Sequence, residues 1–178
     1  FGEKNIVSMS SNRNMALDTF RQVANTIEDN PFLKAQVKQI RYANGQESIT
    51  LLNGARYEIV AATRDGSRGK TADLLYIDEL REIGVDAWTA ARPTTRATGG
   101  TTLITSNAGD AFSEVLNELR ERALSYPSKT LGWYEYSAPQ FAKIDDRRAW
   151  AQANPALGYL FDESAIAESV ATNSIESR

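Results

Sequence analysis

Two hydrophobic rhythms alternate along the chain. "NIVSM" (5–9) is a short apolar run of the kind that forms a buried strand. Beyond it, Met15, Ala16, Phe20, Val23, Ala24 and Ile27 recur at helical spacing, Asn12 or Ser11 is placed to cap the helix start, and Pro31 closes its C-terminal end. Three β-type segments come next, "QVKQIRY" (36–42), "ESITLLN" (47–53) and "RYEIVAAT" (56–63). Asn44-Gly45 and Asn53-Gly54 separate them, and such pairs between alternating residues signal hairpins. "DLLYID" (73–78) and "GTTLITSN" (100–107) read as buried strands. Between them lies the helix-rich "ELREIGVDAWTAARPTTRA", interrupted at Pro93. An amphipathic helix over 110–126 carries Phe112, Val115, Leu116, Leu119 and Ala123 on one face. "KTLGWYEYSA" (129–138) reads as a further strand, and "DDRRAWAQAN" and "DESAIAESVAT" read as helices either side of Asn154-Pro155. Alternating strands and helices predict an α/β domain with a mostly parallel sheet and a hairpin insertion between 36 and 63. In such sheets ligands bind beyond the carboxyl ends of the strands, here Asp78-Glu79 and Ser106-Asn107.

Composition narrows the chemistry. The 178 residues suit one domain, with 42% hydrophobic and 24% charged residues. A net charge of −3 gives no global basic footprint, so any DNA contact needs a local basic patch or one shared between subunits. With no cysteine and no histidine, disulfides, zinc sites built on those ligands, Ser-His-Asp triads and histidine bases are all excluded. Acid–base work falls to Asp, Glu, Lys or Tyr. No apolar run reaches the roughly 18 residues of a membrane span, and no signal-peptide pattern is present. Both ends read as cut, so the expectation is a fragment, 1–178, of something longer.

"RDGSRGKTADLLYIDEL" (64–80) holds two competing signals. Its GKT ends like a phosphate-binding loop, which needs G-x-x-x-x-G-K-[ST] between a strand and a helix. Arg64 stands where the first glycine belongs, and Lys70-Thr71 lead into a strand. GKT is therefore expected to be a decoy. Leu74–Ile77 followed by Asp78-Glu79 fits the acidic strand of an ATPase. The apolar run anchors the strand, the first carboxylate holds Mg2+, and the second polarises the attacking water. A strand that ends at a helix start would show the same acids. "TTLITSNAG" adds a second strand ending in Thr105, Ser106 and Asn107. These fit a polar group sensing the γ-phosphate, or the cap of the following helix. The basic, glycine-rich "RDGSRGK" fits a solvated turn or a loop presenting arginine to phosphate.

These stretches, "GSRGKTADLLYIDEL", "ARPTTRA" and "TTLITSNAG", with "AWAQANPALG" near the end, resemble the ATPase core of the large terminase subunit of tailed double-stranded DNA bacteriophages. The resemblance covers most of the chain. It implies a P-loop NTPase-type sheet flanked by helices, lacking the P-loop strand and loop upstream of Phe1, and an ATPase that drives DNA into procapsids with ATP and Mg2+. It implies Asp78 as the Mg2+ ligand, Glu79 as the catalytic glutamate, and Thr105, Ser106 and Asn107 as the coupling motif. Arg68 would act in trans on a neighbouring subunit's ATP, with Arg64 the competing candidate. The implied partners are double-stranded DNA, a portal protein, the small terminase subunit and a homo-oligomeric ring. The implied place is the host cytoplasm, transiently on the procapsid, with no membrane. Arg92, Arg96, Lys34, Lys38 and Arg41 are candidates for facing DNA, or are ordinary surface charge. Another P-loop motor of helicase type and a non-catalytic α/β docking module are the competing readings. Leu80-Arg81 after the acids departs from common helicase endings.

Overall fold

The computed structural model describes residues 2–63, 66 and 69–172. It forms two units, Phe1–Pro127 and Ser128–Arg178.

The first unit is built on one six-stranded sheet. Strands β1 (Asn5–Ser10), β2 (Val37–Arg41), β3 (Ser48–Leu51), β4 (Arg56–Ala61), β5 (Leu74–Ile77) and β6 (Thr101–Ile104) lie in the order β2-β3-β4-β1-β5-β6. β1 runs parallel to both β4 and β5, and β5 parallel to β6, while β3 is antiparallel to β2 and β4. The predicted hairpins form at Gly45 and Gly54, both at positive φ. Their last strand joins the main sheet beside β1 rather than projecting from it.

Helix α1 (Arg13–Asp29) starts where expected, with the Asn12 side chain accepting from the Met15 amide. It ends at Asn30, which caps the short α2 (Pro31–Lys34). Along β4, Ile59 and Val60 point to opposite faces and seed two cores. On one face α1 lays Ala16 and Phe20 over Ile49 and Ile59, and Phe20 meets Tyr42 edge-on and stacks on Tyr57. On the other, Val7, Met9, Val60, Leu75 and Ile77 pack beneath α3 (Val85–Ala91) and α4 (Glu114–Ser125). Arg13 reaches across to the buried Glu47 at 2.5 Å and ties the β2–β3 turn to the start of α1. Gly100 opens β6 so close to β5 that an added Cβ would stand 2.5 Å from the Asp73 carbonyl oxygen.

Phe112 departs from its expected place on the apolar face of the fourth helix. It precedes α4 and is 89% exposed, because the chain makes a turn through Asp110 and enters the helix only at Glu114. Val115, Leu116 and Leu119 do face the core.

The second unit holds α5 (Arg147–Ala153), capped by Asp146, and α6 (Glu163–Thr172), with Arg147 bonded to Glu163 at 2.9 Å. The strand expected over 129–138 does not form there. A strand needs a neighbour to take its amides and carbonyls. Among the described residues this segment finds none beyond a single bridge between Ser128 and Leu131, and Tyr134 and Tyr136 stay exposed.

Candidate active site

Because β4, β1, β5 and β6 run in the same direction, their carboxyl ends form one edge. Along it lie Ala61, Ser10, Asp78 and Thr105. Asp78 continues the β5 ladder by one residue, its amide donating to the Met9 carbonyl at 2.9 Å. The Thr105 amide likewise donates to Ile77, and the Leu80 amide to Thr105. The acidic pair and the polar triplet are thus drawn together by backbone pairing before any side-chain contact.

The side chains then divide into two groups. Thr105 Oγ1 donates to Asp78 Oδ1 at 2.9 Å, and the Tyr76 hydroxyl lies 3.0 Å from Thr105 Oγ1 and 3.4 Å from Asp78 Oδ1. Ser106 and Asn107 turn to Glu79 instead. The Asn107 amide donates to Glu79 Oε1 at 2.9 Å, Asn107 Nδ2 to Oε2 at 2.7 Å, and Ser106 Oγ to Oε1 at 3.4 Å. Arg81 Nε stands 3.2 Å from Glu79 Oε1, its own amide donates to Ser106 Oγ, and its guanidinium donates to the Ala108 carbonyl.

Glu79 adopts a left-handed backbone, φ 57 and ψ 60, unusual for a residue with a side chain and costing on the order of 1–2 kcal/mol. The turn brings the carboxylate round to β6 and lets the buried Leu80 enter the core. The alternative use of Ser106 and Asn107 as helix caps is not realised. α4 begins after Ser113, seven residues from Ser106, and the turn before it is organised by Asp110. Tyr76 and Arg81 complete the site although neither stood out in the sequence. Tyr76 lies two positions before Asp78 on a strand, hence on the same face.

The donor set fits a magnesium ion. Mg2+ is commonly held by one or two carboxylates together with waters and phosphate oxygens, rather than by an all-protein cage. Asp78 supplies one carboxylate at the sheet edge, with a hydroxyl fixing one of its oxygens. No group of three Asp or Glu residues converges among the described residues.

Lys70 is taken up by a carboxylate of its own sheet. Its Nζ is bonded to Glu58 Oε2 at 2.8 Å, and Arg56 shares that carboxylate. The lysine and threonine of GKT lead into β5, as expected of a decoy. The loop preceding them leaves the same carboxyl edge after Ala61, where the Gly66 amide donates to Thr63 Oγ1 at 3.0 Å. Arg68 and Arg64 lie outside the described residues. The basic residues considered for DNA do not gather in one place. Lys38 and Arg41 sit on edge strand β2, four strand positions from β5, and Lys34 just precedes it. Arg92 and Arg96 flank Thr94, whose carbonyl accepts from Ala72 at the amino end of β5, away from Asp78.

No family model matches the chain, and no curated protein sequence matches it. Solved structures do. The chain superposes on the large terminase of bacteriophage HK97 with a TM-score of 0.82 at 24% identity, covering 94% of this chain and 36% of that one. The large terminase of a thermophilic bacteriophage matches with a TM-score of 0.52 at 16% identity, covering 70% of this chain and 31% of that one. The chain thus spans about a third of the length of either protein. Its mixed six-stranded sheet, flanked by helices, is the fold of the bacteriophage large terminases.

Proposed function

We propose that the chain is the ATPase motor portion of a phage DNA-packaging terminase, which in its intact form couples ATP hydrolysis to translocation of double-stranded DNA into procapsids. The observation that carries the reading is the pairing of Asp78 with Thr105 and of Glu79 with Asn107 at neighbouring strand ends. One carboxylate is held by hydroxyls and the other chiefly by the two Asn107 amides and the Arg81 guanidinium, which suits two separate tasks at one phosphate.

Asp78 would hold Mg2+, which would offset the charge developing on the transferring phosphoryl group. Thr105 and Tyr76 keep the Asp78 carboxylate oriented toward the edge. Glu79 would accept a proton from the attacking water or align it. Its side chain is 17% exposed and both oxygens are engaged, so an oxygen is freed fully for water when the Asn107 or Arg81 contact loosens. That exchange would link the state of the nucleotide to β6 and to α4 behind it. Arg68 would serve a neighbouring subunit's nucleotide in a homo-oligomeric ring working with the portal and the small terminase subunit in the host cytoplasm. DNA would be gripped mainly through its phosphates, without sequence preference.

The test is Glu79→Gln in the full-length protein that carries this chain. ATP hydrolysis should fall by about 10²–10⁴-fold with nucleotide binding retained, the range expected on losing a general base. Hydrolysis within a few-fold of the parent would remove Glu79 from that role.

A further inference from the structure

Ser10 ends β1 and is completely buried, yet its Oγ has no hydrogen-bond partner among the described residues. A buried hydroxyl without a partner is costly, and its persistence asks for a partner in another state of the molecule. The strand register identifies the nearest candidate. Ser8 faces Tyr76 and Met9 faces Ile77 across β1 and β5, and the Asp78 amide bonds to the Met9 carbonyl. The next pair in that ladder is Ser10 and Asp78, on adjacent strands about 4.8 Å apart. Both lie two residues beyond the Ser8–Tyr76 pair, so both side chains fall on the same face of the sheet. The contacts of Tyr76 with Asp78 agree with that face.

The two groups are chemically complementary. Asp78 Oδ1 accepts from Thr105 and Tyr76, and among the described residues no donor meets Oδ2. Ser10 has a proton to give and no acceptor there. Ser8, one step back on the same face, is the natural comparison. Its hydroxyl is also buried and meets no hydrogen-bond geometry in this state, but it has the Tyr57 phenol within its reach: burial raises that phenol above the usual range, and its interaction with Ser8 works against the rise.

We propose that Ser10 is a positioning residue for Asp78, its hydroxyl engaging the carboxylate when that carboxylate takes a divalent cation. The inference rests on the reading of Asp78 as the metal ligand. Ser10 touches neither the ion nor the nucleotide. It steadies the charged carboxylate from behind, while Thr105 fixes the other oxygen, so that the ligand is presented in one orientation. Hydrogen-bonded supports of this kind are commonly worth an order of magnitude or more in metal affinity.

The experiment is Mn2+ binding to the 178-residue chain, followed by electron paramagnetic resonance of the free ion, with Ser10→Ala, Ser10→Thr, Ser8→Ala and Asp78→Asn measured beside the parent and urea unfolding run on each. Ser10→Ala should weaken Mn2+ binding on the order of tenfold without lowering the urea midpoint, because it deletes an unmatched buried hydroxyl. Ser10→Thr should restore most of the affinity, and Ser8→Ala should leave it unchanged. If Asp78→Asn abolishes binding while Ser10→Ala does not weaken it, the role of Ser10 is overturned and Asp78 stands as ligand. A lowered midpoint with unchanged affinity in Ser10→Ala would mean packing alone and overturns it equally. If Asp78→Asn binds like the parent, the metal assignment and the Ser10 role both fall.

Discussion

At the scale of single residues, the tension sits in Glu79. Its backbone is left-handed, while its carboxylate gathers Asn107, Ser106 and Arg81. The two features separate under substitution. Glu79→Ala loses the hydrogen bonds and keeps the strained backbone. Glu79→Gly loses the same bonds and accepts positive φ freely. Glu79→Gly should therefore unfold at higher urea than Glu79→Ala, by about 1 kcal/mol in stability. The reverse order would show that the turn is not strained. Asn107→Asp tests the other partner, by placing a second carboxylate where Nδ2 donates to Glu79. Repulsion disfavours having both ionised, so the folded-state proton affinity of the pair rises. The stability deficit against the parent should then be largest at neutral pH and shrink as pH falls through about 4–5, where carboxylates protonate. A deficit that does not change with pH would mean that the two carboxylates do not meet.

At the scale of elements, backbone pairing builds the site, so damage to pairing should reach it indirectly. Gly100→Ala pushes a Cβ onto the Ala72 and Asp73 carbonyl oxygens and so prises β6 from β5. Losing that fit should cost about 1–3 kcal/mol, as overpacking does. Thr105 and Asn107 should part from Asp78 and Glu79 with it, which shows as lost protection of the Thr105 amide in hydrogen exchange. Asn12→Ala removes the cap of α1 far from the acids and should cost about 1 kcal/mol while leaving that amide protected. Much of this scale was readable in advance. Apolar runs gave β1, β5 and β6, Asn-Gly pairs gave the hairpins, and the acidic and polar ends of β5 and β6 were recognisable because each is contiguous in sequence. Tyr76 and Arg81 were not, since their roles depend on which strands are neighbours and on a left-handed turn that glutamate does not advertise. The segment 129–138 misled for a related reason: alternation gives strand character, but pairing needs an edge to join. Phe112 misled because helical spacing does not say where the helix starts.

At the scale of the whole molecule, the proposed reading gives the described residues only part of an ATPase site. The carboxylates and their partners are in place, while the one Gly-Lys-Thr triplet commits its lysine to Glu58. Charge stabilisation at the phosphoryl group is usually the largest contribution to such catalysis, and it comes chiefly from a phosphate-binding loop with its lysine and from the metal. Asp78 and Glu79 alone do not replace it. The 178-residue chain should therefore hydrolyse ATP negligibly, and turnover within tenfold of the full-length protein would defeat that expectation. Lys70→Ala sharpens the point, because a working phosphate-binding lysine and a structural one predict different losses. Removing a working one should abolish hydrolysis in the full-length protein. Removing a lysine paired with Glu58 should leave hydrolysis within a few-fold of the parent and cost up to about 1 kcal/mol of stability, since the pair is partly exposed. Loss of nucleotide binding in Lys70→Ala, with the fold intact, would return GKT to the role its sequence imitates and move the site away from the β5–β6 edge.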